Sequence, residues 1–258
     1  MTERVTLITG ASSGIGAELA RIFAQNGART VLVARRADRL EQLASAIAAS
    51  GQPKPATIAL DLTERDACDR LAAILQDMDV EVETVVNNAG YGLFGEAVDL
   101  GRAEQLAMVN LNVSVLTDLT LRFAGSIVRN RGGILNVASI ASFLPGPRMA
   151  VYYATKAYVL SFTEAMRGEL GPKGVRVTAL CPGPVPTEFQ DVAGFKPGLD
   201  SAVLNLSAAA VARAGYRGLM SNKRLVLPGV GVRMIPFMLR FAPRSLVLAS
   251  VARVQQKR

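Results

Sequence analysis

Short apolar runs alternate along the chain with segments whose apolar residues recur at helical spacing. Continuous runs of valine, isoleucine, leucine and alanine are typical of strands that are buried on both faces of a parallel sheet. The pattern predicts strands at Val5–Thr9, Thr30–Ala34, Thr57–Asp61, Thr84–Asn87, Ile134–Ser139, Val175–Leu180 and Leu225–Leu227.

The segments between these runs carry the helical pattern. Ala17–Asn26 is predicted to be a helix that stops at Gly27, and Ala37–Ala49 has its leucines and isoleucine on one face. Strands that alternate with helices predict the α/β class, a Rossmann-type doubly wound parallel sheet of about seven strands with helices on both faces. Because no repeat or linker interrupts the alternation, residues 1–258 are predicted to form a single domain.

Composition places this fold among ordinary globular proteins. Half of the 258 residues are hydrophobic, yet no run of eighteen uncharged apolar residues predicts a transmembrane helix. The N-terminus lacks the pattern of a signal peptide, and two cysteines, Cys68 and Cys181, make no disulfide framework. These features predict a cytoplasmic protein, with Cys181 as a buried, inert thiol.

The positive charge of the chain is confined to its C-terminal part. All 21 acidic residues lie at or before Asp200, whereas ten of the 29 basic residues follow it. The first 200 residues therefore carry 19 basic against 21 acidic residues. Because the basic character does not extend over the whole domain, nucleic-acid binding is not predicted.

The chain contains no histidine. This excludes hydrolases that use a histidine base, and it excludes most zinc enzymes. No metal site is predicted.

A glycine-rich loop follows the first predicted strand and leads into a helix. Glycines at this point suit a tight turn whose backbone approaches a pyrophosphate, with amide donors from the helix N-terminus. Steric needs of a tight turn would also account for them, but their position between strand and helix favours dinucleotide binding. The predicted contacts are Gly10, Ser12, Ser13, Gly14, Ile15 and Gly16.

The second predicted strand ends in Arg35 and Arg36. An acidic residue here would accept hydrogen bonds from a ribose 2′-hydroxyl, whereas two arginines favour a 2′-phosphate. The charge therefore predicts NADP as the preferred cofactor, with NAD as the alternative. An ordinary solvated strand end would also account for the two arginines, but the charge favours the 2′-phosphate.

Polar residues also end the third and fourth predicted strands. Ligands collect at the carboxyl ends of strands in such sheets, so these residues are predicted to line the cofactor site. Asparagine and glycine are also good turn residues, which leaves a purely structural role open. The residues concerned are Asp61, Leu62, Asn88, Ala89 and Gly90.

Three tyrosines and a lysine share the segment Val151–Val159. Tyr152 lies four positions and Tyr153 three positions before Lys156, so either tyrosine could share a helix face with the lysine. Tyr158 lies two positions after Lys156 and points elsewhere. Helical geometry alone leaves Tyr152 and Tyr153 as equal candidates.

Four motifs in this order resemble those of the short-chain dehydrogenase/reductase family. They are TGxxxGxG in the first loop, the NNAG turn, YxxxK, and PGxxxT after the sixth predicted strand, and together they span Val5 to Thr187. The resemblance implies hydride transfer between a nicotinamide cofactor and a carbonyl or secondary-alcohol carbon. A catalytically silent cofactor sensor or scaffold of the same fold is the alternative, although a sensor needs no proton donor.

The resemblance also implies roles for individual residues. It selects Tyr152 as the proton donor, with a pKa lowered by Lys156. It also implies that Ser139 hydrogen-bonds the substrate oxygen and holds it in place. Asn110, in the context VNLNV, matches the family's active-site asparagine and would hold a water that links the lysine to solvent. Tyr152 and Lys156 would also contact the cofactor, and Pro182, Gly183, Val185 and Thr187 would hold the nicotinamide amide.

The resemblance further implies that the segment after PGxxxT shapes the substrate pocket, so residues 188–222 are predicted to form a lid over it. Phe189, Phe195 and Leu199 are its candidate apolar residues, and Gly194 and Gly198 would permit movement. These residue types predict a hydrophobic ketone or acyl substrate.

Residues 228–258 form a basic, apolar C-terminal extension. Arg233 and Arg240 share a face of a predicted helix, with Pro236 in its first turn and Pro243 at a restart of the chain. Packing on the domain or on a sister subunit is favoured over contact with an anionic membrane. The resemblance implies a homodimer or homotetramer.

Overall fold

The structure is a computed structural model that describes residues 2–194 and 206–256. Its seven strands form one parallel sheet in the order β3-β2-β1-β4-β5-β6-β7, which confirms the predicted fold class. The strands are β1 (Glu3–Thr9), β2 (Thr30–Ala34), β3 (Ala56–Ala59), β4 (Val80–Asn87), β5 (Gly133–Val137), β6 (Arg176–Leu180) and β7 (Leu225–Val226).

The helices that connect the strands cover both faces of the sheet. The helices of the described residues are α1 (Gly14–Gln25), α2 (Ala37–Ala49), α3 (Ala67–Asp77), α4 (Arg102–Val109), α5 (Leu116–Arg129), α6 (Ala150–Leu170), α7 (Glu188–Ala193), α8 (Ala208–Met220), α9 (Val230–Leu239) and α10 (Arg244–Gln256).

Two hydrophobic cores hold the layers together. On one face, side chains of α3, α5 and α6 such as Leu71 and Leu119 pack on the sheet. On the other face, α1, α2 and α8 contribute Leu19, Leu40 and Leu219. The chain passes from β3 back across the sheet to β4 beside β1, and this reversal opens a crevice at the carboxyl ends of the strands.

Three predicted strands end earlier than the sequence pattern indicated, and the last of them, β7, stops at Val226 rather than Leu227. β3 stops at Ala59 and β5 at Val137, so Asp61 and Ser139 lie in the loops that follow. Ser139 begins a short 3₁₀ turn at Ile140–Phe143, where its hydroxyl accepts a hydrogen bond from the amide of Ala141. A serine that caps a turn competes with the sheet ladder for backbone partners, which explains the shorter strand.

The helices α4 and α5 are joined by a π-helical turn at Asn110–Val115. The combined stretch Arg102–Arg129 is long and apolar enough to cross a membrane by length and composition alone, with a mean hydropathy of 1.2. A core helix of a globular domain meets the same criterion. Here Leu119 and Ile127 are fully buried in the core, and Thr120 hydrogen-bonds Asn87 of β4, so we assign the stretch to the domain.

The C-terminal extension begins after β7 and consists of α9 and α10. Pro236 lies in the middle of α9 rather than in its first turn, because the helix begins at Val230, earlier than its arginine spacing indicated. Proline has no amide hydrogen to donate to the preceding turn, which weakens the helix at this point. Pro243 separates the two helices, as predicted.

Candidate active site

A cavity of about 420 Å³ opens at the carboxyl ends of β1, β2, β4, β5 and β6. All of the predicted site residues line it except two, Gly16 and Asn110. The predicted residues along its wall are Gly10, Ser12, Ser13, Gly14, Ile15, Arg35, Arg36, Asp61, Leu62, Asn88, Ala89, Gly90, Ser139, Tyr152, Lys156, Pro182, Gly183, Val185 and Thr187.

The loop between β1 and α1 is shaped by its glycines. Gly10 and Gly14 have φ angles of +65° and +54°, in the left-handed region that favours glycine. A β-carbon on Gly16 would lie 2.3 Å from the Gly10 carbonyl oxygen, so this position requires glycine for close packing. Gly16 therefore supports the loop from behind and does not line the cavity, in contrast to its predicted contact.

The helix α1 leaves donors for an anion at its start. Its N-cap residue, Ser13, makes no side-chain capping bond, and no acidic residue lies in the first turn. The first amides of a helix point outward and carry partial positive charge, which suits a phosphate group. This part of the cavity therefore fits the pyrophosphate of a dinucleotide.

The NNAG turn is fastened to the glycine loop. The Thr9 hydroxyl accepts hydrogen bonds from the backbone amides of Asn88 and Ala89, both at 3.1 Å. The Asn88 amide group donates to the carbonyl oxygens of Thr9 and Gly10. Asn88 thus holds the ends of β1 and β4 together.

Arg36 forms the cationic wall at the end of β2. Its guanidinium donates to the Ser12 hydroxyl at 3.1 Å and forms an ion pair of 2.8 Å with Glu188 at the start of α7. The preceding residue, Arg35, is more exposed, and its guanidinium lies 3.9 Å from the Asp61 carboxylate. The two arginines are therefore arranged differently. Arg36 joins Ser12 of the glycine-rich loop to Glu188 of α7, and Arg35 lies at the rim of the cavity.

Asp61 accepts hydrogen bonds from the amide and hydroxyl of Thr63, at 2.9 and 2.7 Å. Burial raises the pKa of this carboxyl, but the Thr63 hydrogen bonds and Arg35 together bring it below the ordinary value. The side chain is consequently an ionised acceptor at neutral pH.

Helix α6 presents its first tyrosine and its lysine to the cavity. Tyr152 is 9% exposed and lies close enough to Ser139 for that hydroxyl to lower the pKa of the phenol. Lys156 is 6% exposed and donates to the carbonyl oxygen of Val137 at 2.9 Å. The Lys156 ammonium nitrogen lies 5.9 Å from the centre of the Tyr152 ring. Ser139, Tyr152 and Lys156 are thus brought together from two elements.

The other two tyrosines point elsewhere. The hydroxyl of Tyr153 accepts a hydrogen bond of 3.0 Å from Gln255 of α10, although its ring still lines the cavity. Tyr158 is 40% exposed and hydrogen-bonds Thr117, outside the cavity, as helical spacing predicted. The structure thus separates Tyr152 from Tyr153, which helical geometry could not do.

The predicted lowering of the Tyr152 pKa is wrong for the protein by itself. Burial raises the pKa of this phenol well above its ordinary value, and only the hydrogen bond with Ser139 acts in the other direction. Burial also lowers the pKa of Lys156 to about 8. A buried site disfavours the charged form of each group.

The structure does not bring Asn110 to the other predicted catalytic residues. Its side chain donates to the backbone carbonyl of Thr63 at 3.2 Å. Asn112 lies at the site instead and is only 1% exposed. Its side-chain oxygen accepts a hydrogen bond from the Tyr91 amide, and its NH₂ group donates to the Tyr91 carbonyl oxygen and the Thr155 hydroxyl. Positions two apart on a helix point in nearly opposite directions, so only one asparagine of VNLNV can face this site.

Asn112 also lies close to the lysine. A β-carbon built on Gly90 would lie 2.8 Å from the Asn112 side-chain oxygen and 3.6 Å from the Lys156 nitrogen. Gly90 therefore leaves room for both groups, which is a requirement that no other residue type satisfies without displacement.

The loop after β6 closes the cavity on its third side. Thr187 packs against Gly14, with its methyl carbon 3.1 Å from the position of a Gly14 β-carbon, and its hydroxyl accepts from the amide of Phe189. Cys181 is fully buried, and burial raises its pKa to about 12. The predicted burial of this thiol is confirmed.

Part of the predicted lid is visible in α7. Phe189 lies 5.4 Å from the Tyr152 ring between centroids, so it covers the tyrosine from above. Gly194 follows the helix with a φ of +79°. Phe195, Gly198 and Leu199 lie outside the described residues.

Sequence reasoning missed three residues that contact the site. Glu188 pairs with Arg36, Asn112 replaces Asn110, and Gln255 contacts Tyr153. Glu188 directly follows Thr187, and its negative charge next to a predicted site residue could have identified it from the sequence. Gln255 lies 102 positions from Tyr153, so no local pattern could have connected them.

Comparisons with known proteins agree with this geometry. The family model for short chain dehydrogenases matches residues 4–195. Serine 3-dehydrogenase of Agrobacterium fabrum (strain C58) is 36% identical over 184 residues, which cover 71% of this chain and 72% of that protein.

Two solved structures are similar over almost the whole chain. A short-chain dehydrogenase from Sphingobium yanoikuyae in complex with NADPH has a TM-score of 0.82 and 31% identity, covering 95% of this chain and 94% of that one. A bulky-bulky ketone specific alcohol dehydrogenase from Comamonas testosteroni has a TM-score of 0.78 and 29% identity, with the same coverage of both chains.

Proposed function

Because the chain belongs to the short-chain dehydrogenase family, we propose that it is an NADP-preferring oxidoreductase that acts on a hydrophobic ketone or secondary alcohol. The observation that carries the proposal is the meeting of Ser139, Tyr152 and Lys156 on the wall of the cavity that the glycine-rich loop also lines. The family relationship supplies the coarser conclusion, an oxidoreductase of alcohol and carbonyl groups that uses a nicotinamide cofactor.

The residues of the cavity fit NADP. The nicotinamide ring, when bound, supplies or accepts the hydride. The α1 amides and the glycine loop would hold the pyrophosphate, and Arg36 would pair with the 2′-phosphate. Arg36 supports the preference for NADP because the second partner that it holds is the exposed carboxylate of Glu188, which a phosphate can replace.

The Tyr152 hydroxyl would donate the proton to the carbonyl oxygen during reduction. Its raised pKa keeps the phenol protonated at neutral pH, as a proton donor must be. Ser139 would hydrogen-bond the same oxygen and fix its position beside the phenol. During oxidation of the alcohol the same groups would act in reverse, with Tyr152 as the base.

Lys156 would hold the nicotinamide ribose hydroxyls and favour the phenolate when it forms. Asn112, rather than Asn110, would maintain the backbone around it, because its amide is fully engaged with Tyr91 and Thr155. Thr155 in turn donates to the carbonyl oxygen of Tyr152. The asparagine thereby acts as a positioning residue for the start of α6.

The substrate end of the cavity supports a hydrophobic substrate. Met149, Tyr91, Phe94, Tyr153 and Phe189 pack around Tyr152. In such a pocket, binding becomes stronger as the ligand buries more apolar surface, whereas a sugar would find few hydrogen-bond partners. The relative from Comamonas testosteroni, described as specific for bulky-bulky ketones, is consistent with this proposal.

The proposal is tested by comparing Tyr152→Phe with its neighbour Tyr153→Phe. Tyr152→Phe is expected to abolish NADPH oxidation by a panel of apolar ketones, a loss of about 10²-fold or more, while NADPH fluorescence still reports binding. Tyr153→Phe keeps its ring and is expected to retain most of its turnover. Substantial activity in Tyr152→Phe, or no turnover of any carbonyl or alcohol by the unaltered enzyme, would contradict the proposal.

A further inference from the structure

The helix α9 turns an apolar face to solvent. Met234, Phe237, Met238 and Phe241 are 49, 56, 64 and 75% exposed, and they recur at the spacing of one helix face, which we call the α9 stripe. Val232, on the other side of the helix, is only 1% exposed and attaches α9 to the domain. The Phe237 and Phe241 rings lie 5.5 Å apart and form one continuous apolar surface.

Exposed arginines accompany this stripe on α9 and α10. Arg233 and Arg240 flank it on α9 and in the turn that follows, and Arg244 and Arg253 lie on α10. All four are exposed, and none of them forms an ion pair among the described residues. No acidic residue occurs anywhere in the sequence after Asp200. The segment formed by α9 and α10 therefore combines exposed apolar side chains with charges of positive sign only.

This charge pattern decides between the two partners that an apolar surface could have. In a two-fold contact between two copies, the same patch would face itself and bring arginines against arginines. An anionic phospholipid surface offers both an apolar layer for the stripe and negative headgroups for the arginines. We propose that the α9 stripe and its flanking arginines dock the protein on an anionic membrane surface.

The proposed docking surface is connected to the substrate end of the cavity. The α10 residue Gln255 is 2% exposed and donates to the Tyr153 hydroxyl, while Arg148 donates to the Gln255 carbonyl at 3.2 Å. Tyr153 lines the cavity. A docked protein would therefore take up apolar molecules close to the bilayer, although the docking itself does not depend on the proposed reaction.

The test is co-sedimentation of the full-length protein with lipid vesicles. Vesicles of phosphatidylcholine with phosphatidylglycerol are expected to bind the protein, and vesicles of phosphatidylcholine alone are expected to leave it in solution. Raising the salt concentration should release it, because screening weakens attraction to the headgroups. No binding to the anionic vesicles, or equal binding to both kinds, would overturn the proposal.

Two variants separate the apolar and the charged contributions. Phe237→Ser with Phe241→Ser, and Arg240→Gln with Arg244→Gln, are each expected to reduce vesicle binding by about tenfold or more. The matched control, Leu106→Ser with Leu121→Ser, alters side chains that are 53 and 55% exposed on α4 and α5, and should bind as before. Thermal unfolding of every variant checks that the fold is retained.

Sedimentation velocity without lipid examines the competing partner. The proposal predicts that the phenylalanine variant keeps the assembly state of the unaltered protein. A smaller assembly in that variant, together with unchanged vesicle binding, would instead identify the stripe as a contact between two copies.

Discussion

At the scale of single residues, burial controls the chemistry of the site more than pairwise attraction does. Tyr152 and Lys156 are neighbours on one helix, yet desolvation moves each toward its neutral form. Reduction needs a protonated phenol, so the shift of Tyr152 is compatible with proton donation. The lysine is the group whose charge state changes within the working range of pH.

The pKa of Lys156 predicts a pH dependence of cofactor binding. This pKa of about 8 lies below the ordinary lysine value. The Lys156 side chain is therefore positively charged below about pH 8 and loses this charge as the pH rises above that value. We expect the Kd for NADPH, measured by fluorescence, to increase above about pH 8 because a cationic contact disappears. Lys156→Arg stays charged and should remove this rise; an unaltered protein with constant Kd up to pH 10 would contradict the prediction.

The two asparagines of VNLNV are predicted to differ sharply. Asn112→Ala removes the partners of both backbone groups of Tyr91 and one hydrogen bond of the Thr155 hydroxyl, and should lower the free energy of unfolding by about 2–4 kcal/mol and reduce kcat. Asn110→Ala removes one bond to the Thr63 carbonyl and should cost about 1 kcal/mol or less. Denaturant titrations and initial rates of both variants provide the measurement. The reverse order of effects would restore Asn110 as the site residue.

At the scale of elements, an exposed ion pair connects the start of α7 to the segment between β2 and α2. Arg36 and Glu188 have side chains 41 and 45% exposed, and such pairs contribute about 0–1 kcal/mol. Glu188 has a lowered pKa, because it accepts a hydrogen bond from Arg36, and is ionised at neutral pH. A doubly charged phosphate competes well for the same guanidinium.

Removing the Arg36 side chain is expected to change the cofactor preference. Arg36→Ala should lower kcat/KM for NADPH by about 10- to 100-fold and change kcat/KM for NADH little, because only NADPH carries the 2′-phosphate. Arg65→Ala, an exposed residue outside the cavity, is the control and should alter neither value. Equal losses with both cofactors would show that Arg36 acts on the loop and not on the phosphate.

At the scale of the whole molecule, function and charge are divided along the chain. Every candidate catalytic and cofactor residue lies before Asp200, within the part that carries all the acidic residues. The C-terminal extension, residues 228–258, contacts the site through Gln255, which donates a hydrogen bond to the Tyr153 hydroxyl. The extension is therefore joined to the substrate end and is not a separate appendage.

Much of the fold and most of the site were predictable from sequence. Parallel strands leave their carboxyl ends at one edge, so the glycine loop, the NNAG turn and Ser139 had to meet there once the alternation was recognised. Strand ends were less predictable, because Ser139 and Asp61 take part in local hydrogen bonds that compete with the sheet. The position of Pro236 within α9 was missed for a similar reason, since the start of that helix has no side-chain cap.

The sequence by itself determined the doubly wound fold and the pairing of a tyrosine with Lys156, because these follow from periodicity and local spacing. It indicated the family through the resemblance of its motifs. Only the tertiary structure decided that Asn112 and not Asn110 reaches the site, that the Tyr153 hydroxyl contacts Gln255, and that Arg36 faces Glu188. Each of these outcomes depends on which way a side chain points and on how deeply it is buried. Direction and burial are set by contacts between residues far apart in the chain, and no local pattern records them.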